Sequence, residues 1–206
     1  MKKRNLIILF LFVVVSGAIL YSIITKSSIN PNLRFKIGQP IDSFNNVLIY
    51  YNGMVGHTGV RNVAVDGYNI GIQYQCVEFV KRYYYEKLHH KMPDSYGNAK
   101  DFFDRVLPDS GLNIKRNLMQ FKNGTKYVPQ PEDLLIMDGH AGNKYGHVAI
   151  ITLVTDTTVA IIQQNPGPFG KSRDTLQLLQ SNSKWYVKPD RVLGWLRKDT
   201  TDVVVH

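Results

Sequence analysis

The chain has 206 residues, which is enough for one ordinary domain and a short additional segment. Hydrophobic residues make up 44% of it, so the chain is too apolar to be disordered and can bury a real core. Its net charge of +9 is scattered, without a helix-turn-helix pattern. This distribution fits an anionic surface such as a cell wall or lipid headgroups better than sequence-specific DNA reading, so no nucleic-acid partner is expected.

The N-terminal segment begins with three cations at residues 2–4, followed by an apolar run over residues 6–24. A positive flank before nearly twenty apolar residues predicts a transmembrane helix that starts on the cytoplasmic side. A cleaved signal peptide, cut at the small residues 16–18, is the alternative. The run stays apolar beyond that site, which favours the uncleaved anchor.

Either interpretation places the remaining chain outside the cytoplasm, as a single-pass membrane protein or, if the segment is cleaved, as a secreted one. The expected organisation is an anchor or signal segment with its linker at residues 1–30, followed by one domain at residues 31–206. The single cysteine, Cys76, excludes an intramolecular disulfide, so the fold must depend on its core.

The predicted elements of the domain are short, and most of the strands come late. Helices are expected from Cys76 to about His89 and over 98–107; strands are expected over 47–51, 134–137, 148–154, 159–162, 185–187 and 192–196. The strands at 148–154 and 159–162 flank a polar turn and predict a hairpin. Helices early and strands late indicate an α+β fold rather than alternating α/β.

Cys76 lies where the first of these helices begins. The turn-forming segment 66–71 precedes it, and Val77, Val80 and Tyr84 then follow at helical spacing. A thiol in the first turn of a helix feels the positive end of the macrodipole, which favours the nucleophilic thiolate. A small buried hydrophobic residue is the alternative interpretation of a lone cysteine.

A cysteine nucleophile needs a base, and the base needs an orienting group. Of the six histidines, His147 opens the predicted hairpin. A hairpin that turns about Asp156 places Asn165 opposite His147 and Gln163 two residues away on the same face. A neighbouring amide can hold the imidazole, so Cys76, His147 and Asn165 form a candidate triad. The alternative is a surface histidine beside a strand-end asparagine.

Three short motifs carry a family resemblance. Gln75-Cys76-Val77-Glu78-Phe79, Gly146-His147-Val148-Ala149-Ile150 and Gln164-Asn165 resemble those of the CHAP family, the cysteine- and histidine-dependent amidohydrolases and peptidases. The similarity is greatest to the glutathionylspermidine-type amidase domains, which share Asn123-Gly124, Leu134-Leu135-Ile136 and Leu193-Gly194-Trp195. The resemblance covers roughly residues 40–198.

The resemblance implies a papain-like α+β fold, in which a cysteine-bearing helix packs on an antiparallel sheet. By the same resemblance Cys76 is the nucleophile, His147 the base and Asn165 a polar site residue, while Gln75 helps to build the oxyanion hole. The family often has an acidic residue two positions before the asparagine, and this chain has Gln163 there. An uncharged amide can orient His147 but cannot stabilise an imidazolium by charge.

The expected function is therefore an exported, membrane-anchored cysteine amidohydrolase or peptidase that needs no metal or cofactor. Export and positive charge favour peptidoglycan peptides as its substrate, whereas the resemblance favours a glutathionyl–polyamine amide. Because of Gln163, the alternative is a non-enzymatic protein, a CHAP-fold binding module that has lost useful turnover.

Residues 165–172 partly match the P-loop pattern of phosphate-binding proteins. The first glycine of that pattern is missing, however, and two prolines remove N–H groups that would bind phosphate, so a P-loop is rejected.

Overall fold

The structure, a computed structural model, describes residues 3–26 and 30–199. Within this part, the α-helices are α1 (Lys3–Lys26) and α2 (Cys76–Leu88), and the strands are β1 (Pro40–Phe44), β2 (Val47–Tyr50), β3 (Arg61–Val63), β4 (Asn69–Ile72), β5 (Gly111–Asn113), β6 (Leu118–Lys122), β7 (Leu134–Met137), β8 (His147–Val154), β9 (Thr158–Ile162), β10 (Arg173–Ser181), β11 (Lys184–Val187) and β12 (Val192–Arg197). Part of the predicted linker, at residues 27–29, lies outside the described residues.

The predicted transmembrane helix is corrected by the structure. In the described part of the chain, no helix is long and apolar enough to cross a membrane. A helix that spans a bilayer needs about 20 consecutive, predominantly apolar residues, whereas α1 begins with the cations Lys3 and Arg4.

The fold class also needs correction, because the protein is mostly sheet rather than balanced α+β. Eight strands form one antiparallel sheet in the order β11-β10-β9-β8-β7-β12-β6-β5. Two separate two-stranded sheets, β1-β2 and β3-β4, precede α2, where the sequence predicted only the strand over 47–51. A bridge between Thr125 and Trp185 brings β11 back beside the end of β6, so the large sheet curls toward a barrel.

The large sheet is buried on both faces, and alternate residues of its strands enter two different cores. In β7, Leu134 and Ile136 pack in the core beneath α2. Leu135 and Met137 enter the core inside the curl, around the fully buried Trp195. The two cores explain why β7 is a continuous apolar run rather than an alternating one.

Helix α2 forms where the sequence predicts it and lies on one face of the sheet. Phe79, Val80, Tyr83 and Tyr84 are all buried in the core between helix and sheet. The helix ends at His89, which adopts the left-handed conformation and donates its backbone N–H to the Tyr84 carbonyl. This packing fixes the position of the helix start, and therefore of Cys76.

The helix predicted over residues 98–107 is wrong, because only one 3₁₀ turn forms there, Ala99–Phe102. The side chain of Gln120 forms hydrogen bonds with both backbone groups of Asp104. It accepts from the Asp104 N–H at 2.8 Å and donates to the Asp104 carbonyl at 2.7 Å. Asn113 donates to the Phe102 carbonyl at 2.9 Å. Side chains from the sheet thus replace the hydrogen bonds that would have continued the helix.

The hairpin β8–β9 confirms the predicted register where it approaches the site. Ile150 pairs with Ile162 and Ile151 with Ile161, as a turn about Asp156 requires. Nearer the turn the register shifts by one residue at Thr152. The bulge lies far enough from His147 to leave the predicted facing side of the strand unchanged.

Gly194 in β12 provides a test of this packing. Its φ angle is +153°, and an alanine Cβ would overlap the Phe121 carbonyl oxygen and lie 2.8 Å from the Phe103 ring. We expect Gly194→Ala to lower the free energy of unfolding by about 3 kcal/mol, measured by urea denaturation followed through Trp195 fluorescence. Gly67→Ala is the control, because its φ is +82° but its Cβ would meet open space. It should cost about 1 kcal/mol; equal losses would refute the steric argument.

Candidate active site

A cavity of about 610 Å³ opens at the start of α2. Its walls come from the helix start at Gln75, Cys76 and Val77, and from the loops 55–58, 95–99 and 143–146. A second cavity, of about 640 Å³, is lined by Gln163 and by segments of the loops 140–143, 166–171 and 189–191. His147 and Asn165 line both cavities. The structure thus brings Cys76, His147 and Asn165 around one cavity, with Gln163 at the other side of His147.

Cys76 is buried, and its surroundings oppose the charge state that its helix position predicted. Burial raises the pKa of the Cys76 thiol, although the backbone N–H groups of Val148, Val77 and Cys76 itself act in the opposite direction. These N–H groups would stabilise a thiolate once it forms. Removal of the sulfur from water outweighs them, so the resting side chain is a neutral thiol.

His147 is held by Gln163 rather than by Asn165. Its Nε2 lies 2.8 Å from Gln163 Oε1, while Gln163 Nε2 donates to the Lys171 carbonyl at 3.1 Å. The second bond identifies Oε1 as the acceptor, so Nε2 carries the imidazole proton and Nδ1 is the basic nitrogen. Burial lowers the pKa of His147 to about 4, helped by the nearby charge of Arg191 and opposed by the bond to Gln163.

Asn165 and Gln75 hold the loop at the cavity mouth. Asn165 Nδ2 donates to Gln75 Oε1 at 2.8 Å and to the Val55 carbonyl at 3.0 Å. The Gln75 amide nitrogen in turn donates to the carbonyls of Val55 and His57. Both of its contacts therefore go to the loop, and the expected contribution of Gln75 to an oxyanion hole would require one of them to break. The Asn165 side chain contacts this loop in place of the imidazole.

Sequence reasoning missed the buried polar network beneath the helix start. Glu78, 1% exposed, pairs with Arg82 at 2.7 Å. Its other oxygen accepts from Gln164 Nε2 at 2.9 Å. The same Gln164 nitrogen donates to the Gln75 carbonyl at 3.0 Å, and Gln164 Oε1 accepts from the Tyr50 N–H at 2.8 Å. The sequence signal for this network was the spacing of Glu78 and Arg82, which lie four residues apart on an otherwise buried helical face.

The site offers acid–base and nucleophilic groups. Within residues 3–26 and 30–199, no three histidine, cysteine, aspartate or glutamate side chains lie close enough together to hold a metal ion. A buried thiol, an imidazole with one nitrogen fixed as a donor, and the N–H groups of a helix start can perform covalent acyl chemistry.

Comparison with known proteins gives a consistent picture. Residues 65–165 match the family model of the CHAP domain. The chain is 33% identical to a trypanothione synthetase of Crithidia fasciculata over 108 residues, which is 52% of this chain and 16% of that protein. It is 31% identical over 143 residues to a bifunctional glutathionylspermidine synthetase/amidase of Escherichia coli, covering 64% of this chain and 23% of that protein. These similarities support an amidase or peptidase type of hydrolase.

The uncharged Gln163 controls the charge of His147. We expect Gln163→Glu to raise the pKa of His147 from about 4 toward its ordinary value of 6.5, because a carboxylate at Nε2 stabilises the imidazolium. A histidine titration by NMR measures this. Gln163→Met removes the hydrogen bond without adding charge and should not raise the pKa. If both substitutions gave the same pKa, the imidazole would not be governed by this partner.

The Glu78–Arg82 pair should stabilise the helix start. We expect Glu78→Gln to lower the free energy of unfolding by about 3 kcal/mol, because it leaves the buried Arg82 without its counter-charge. Chemical denaturation measures the loss. Glu86→Gln, an exposed change on the same helix, is the control and should stay within about 0.5 kcal/mol of the wild type. A similar loss of unfolding free energy in both variants would contradict a specific stabilising role of the buried pair.

Proposed function

We propose that the chain is a cysteine-dependent amide hydrolase in which Cys76 is the nucleophile and His147 the base, with residues 65–165 as its CHAP domain. The observation that carries the proposal is the placement of both side chains on one cavity, at the start of a helix and the start of β8. The hydrogen bond from His147 Nε2 to Gln163 leaves Nδ1 free of a proton and able to accept one.

The reaction starts from a neutral pair in this proposal. His147 Nδ1 removes the thiol proton as Cys76 Sγ attacks the amide carbon, and the tetrahedral oxyanion forms at the helix start. There the first-turn N–H groups, which have no partner within the helix, can stabilise the oxyanion. His147 then protonates the leaving amine, the C–N bond breaks, and water attacks the thioester with His147 acting again as base.

Two substrate classes remain open. The net charge of +9 and the expected export favour peptides of an anionic cell wall. The similarity to a glutathionylspermidine synthetase/amidase instead favours an amide that joins a peptide to a polyamine. Either substrate has an acyl part and an amine part, which matches a site with one cavity on each side of His147.

A binding module without turnover is the second candidate function. The observation that favours it is the charge state of the pair, since burial raises the pKa of Cys76 and lowers that of His147. Such a pair reacts only if substrate binding or proton transfer to His147 converts the Cys76 thiol into a thiolate.

The decisive experiment compares hydrolysis of wall-peptide fragments and of glutathionylspermidine by matched variants. We expect Cys76→Ser and His147→Asn to lose at least about a thousandfold in kcat/KM, because each removes a group that acts directly in acyl transfer. His89→Asn is the control, because His89 is exposed at the far end of α2 and asparagine tolerates its left-handed conformation. Binding without hydrolysis by the wild type would favour the binding module. Hydrolysis that survives Cys76→Ser would refute the proposed nucleophile.

A further inference from the structure

The two cavities are lined by different reacting side chains. Cys76 lines only the first cavity, whereas His147 lines both. In the proposed reaction, the acyl group becomes bonded to Cys76 Sγ while the C–N bond breaks and the amine takes a proton from His147. The acyl part must therefore lie with Cys76 in the first cavity. The amine part is left to the second cavity, on the other side of His147.

The charged groups of the second cavity are mostly positive. Lys171 and Arg191 line it, and in the described residues neither has a hydrogen-bond or ion-pair partner for its side-chain charge. Arg173 also lines it, but Asp42 neutralises that guanidinium through contacts of 2.9 and 3.1 Å. Asp174 is the one acidic lining residue among those described, and it is exposed on β10. An excess of unpaired positive charge remains.

Arg191 is the most informative of these residues. It is half-buried, burial lowers its pKa, and no carboxylate of the described residues pairs with it. Its charge also acts on the neighbouring His147. A guanidinium in this position can donate two parallel N–H groups to the two oxygens of one carboxylate, which is the geometry that arginine recognises best. The apolar side chains of Met137, Ile161 and Leu176 complete the wall.

We propose that the second cavity binds the amine part of the substrate and recognises a carboxylate on it, with Arg191 and Lys171 as the binding residues. The proposal rests on the proposed function and specifies its substrate class. The bond cleaved is then a peptide-type amide whose leaving amine belongs to an amino acid or peptide that ends in a free carboxylate. An amine part that carries further positive charge, such as a polyamine, is disfavoured by Arg191 and Lys171.

Binding of two small amines tests the proposal without requiring turnover. Glycylglycine and glycylglycinamide have the same shape and differ in the carboxylate. We measure their binding to the full chain carrying Cys76→Ser by ligand-observed NMR, and we expect the carboxylate form to bind roughly tenfold more tightly. In Arg191→Gln the ratio should fall toward one, and in Arg191→Lys an intermediate ratio should remain because charge is kept but the paired geometry is lost.

Two controls separate a local site from the general positive charge of the protein. Lys87→Gln removes an exposed charge from the last turn of α2 and should leave the ratio unchanged. Asp174→Asn removes the acidic lining residue and should increase the ratio. Equal binding of the two dipeptides, no binding of either, or a preference that survives loss of both Arg191 and Lys171 would overturn the proposal. Failure of the proposed function would instead appear in the hydrolysis assay, as activity that does not depend on Cys76.

Discussion

The buried contact between Glu78 and Gln164 holds the two halves of the site together. Gln164 follows β9, while Glu78 lies in the first turn of α2, and the two side chains meet at 2.9 Å. Gln164 also binds the backbone of Gln75 and of Tyr50, so one amide joins the helix start, the end of the hairpin and β2. Because Glu78 is also paired with Arg82, both of its carboxylate oxygens have partners and no unpaired charge is buried there.

Placement by this network has an electrostatic consequence. Cys76 and His147 are positioned by packing from both sides, and the same packing removes them from water. Burial raises the pKa of the thiol, and the backbone N–H groups around the sulfur do not outweigh that effect. The imidazole pKa is lowered for the same reason. A site built in this way keeps the Cys76 thiol protonated and out of water.

The curled sheet explains why the site has two compartments. Strand β8 lies inside the large sheet, and His147 is its first residue, so the imidazole stands at the rim rather than within the core. The helix α2 and the loops near residues 55 and 96 cover one side of this rim. The loops that follow β9 and precede β12 cover the other side and bring Lys171 and Arg191 with them. Different loops therefore supply the walls of the two cavities.

Much of the site could be predicted from the sequence, because it depends on local patterns. Periodicity and turn residues predict the start of α2 at Cys76, the strand at 134–137 and the hairpin that begins at His147. The predicted hairpin register also correctly placed Gln163 beside His147. Tertiary contacts decided the remainder. Side chains of Gln120 and Asn113 replaced a helix by a single turn, and the curl of the sheet produced a mostly β fold. Burial set the charges of Cys76 and His147, because desolvation depends on neighbours that are distant in the chain. Only the tertiary structure shows that Gln163, and not Asn165, is the hydrogen-bond partner of His147. The Asn165 side-chain amide donates to Gln75 and to the Val55 carbonyl instead.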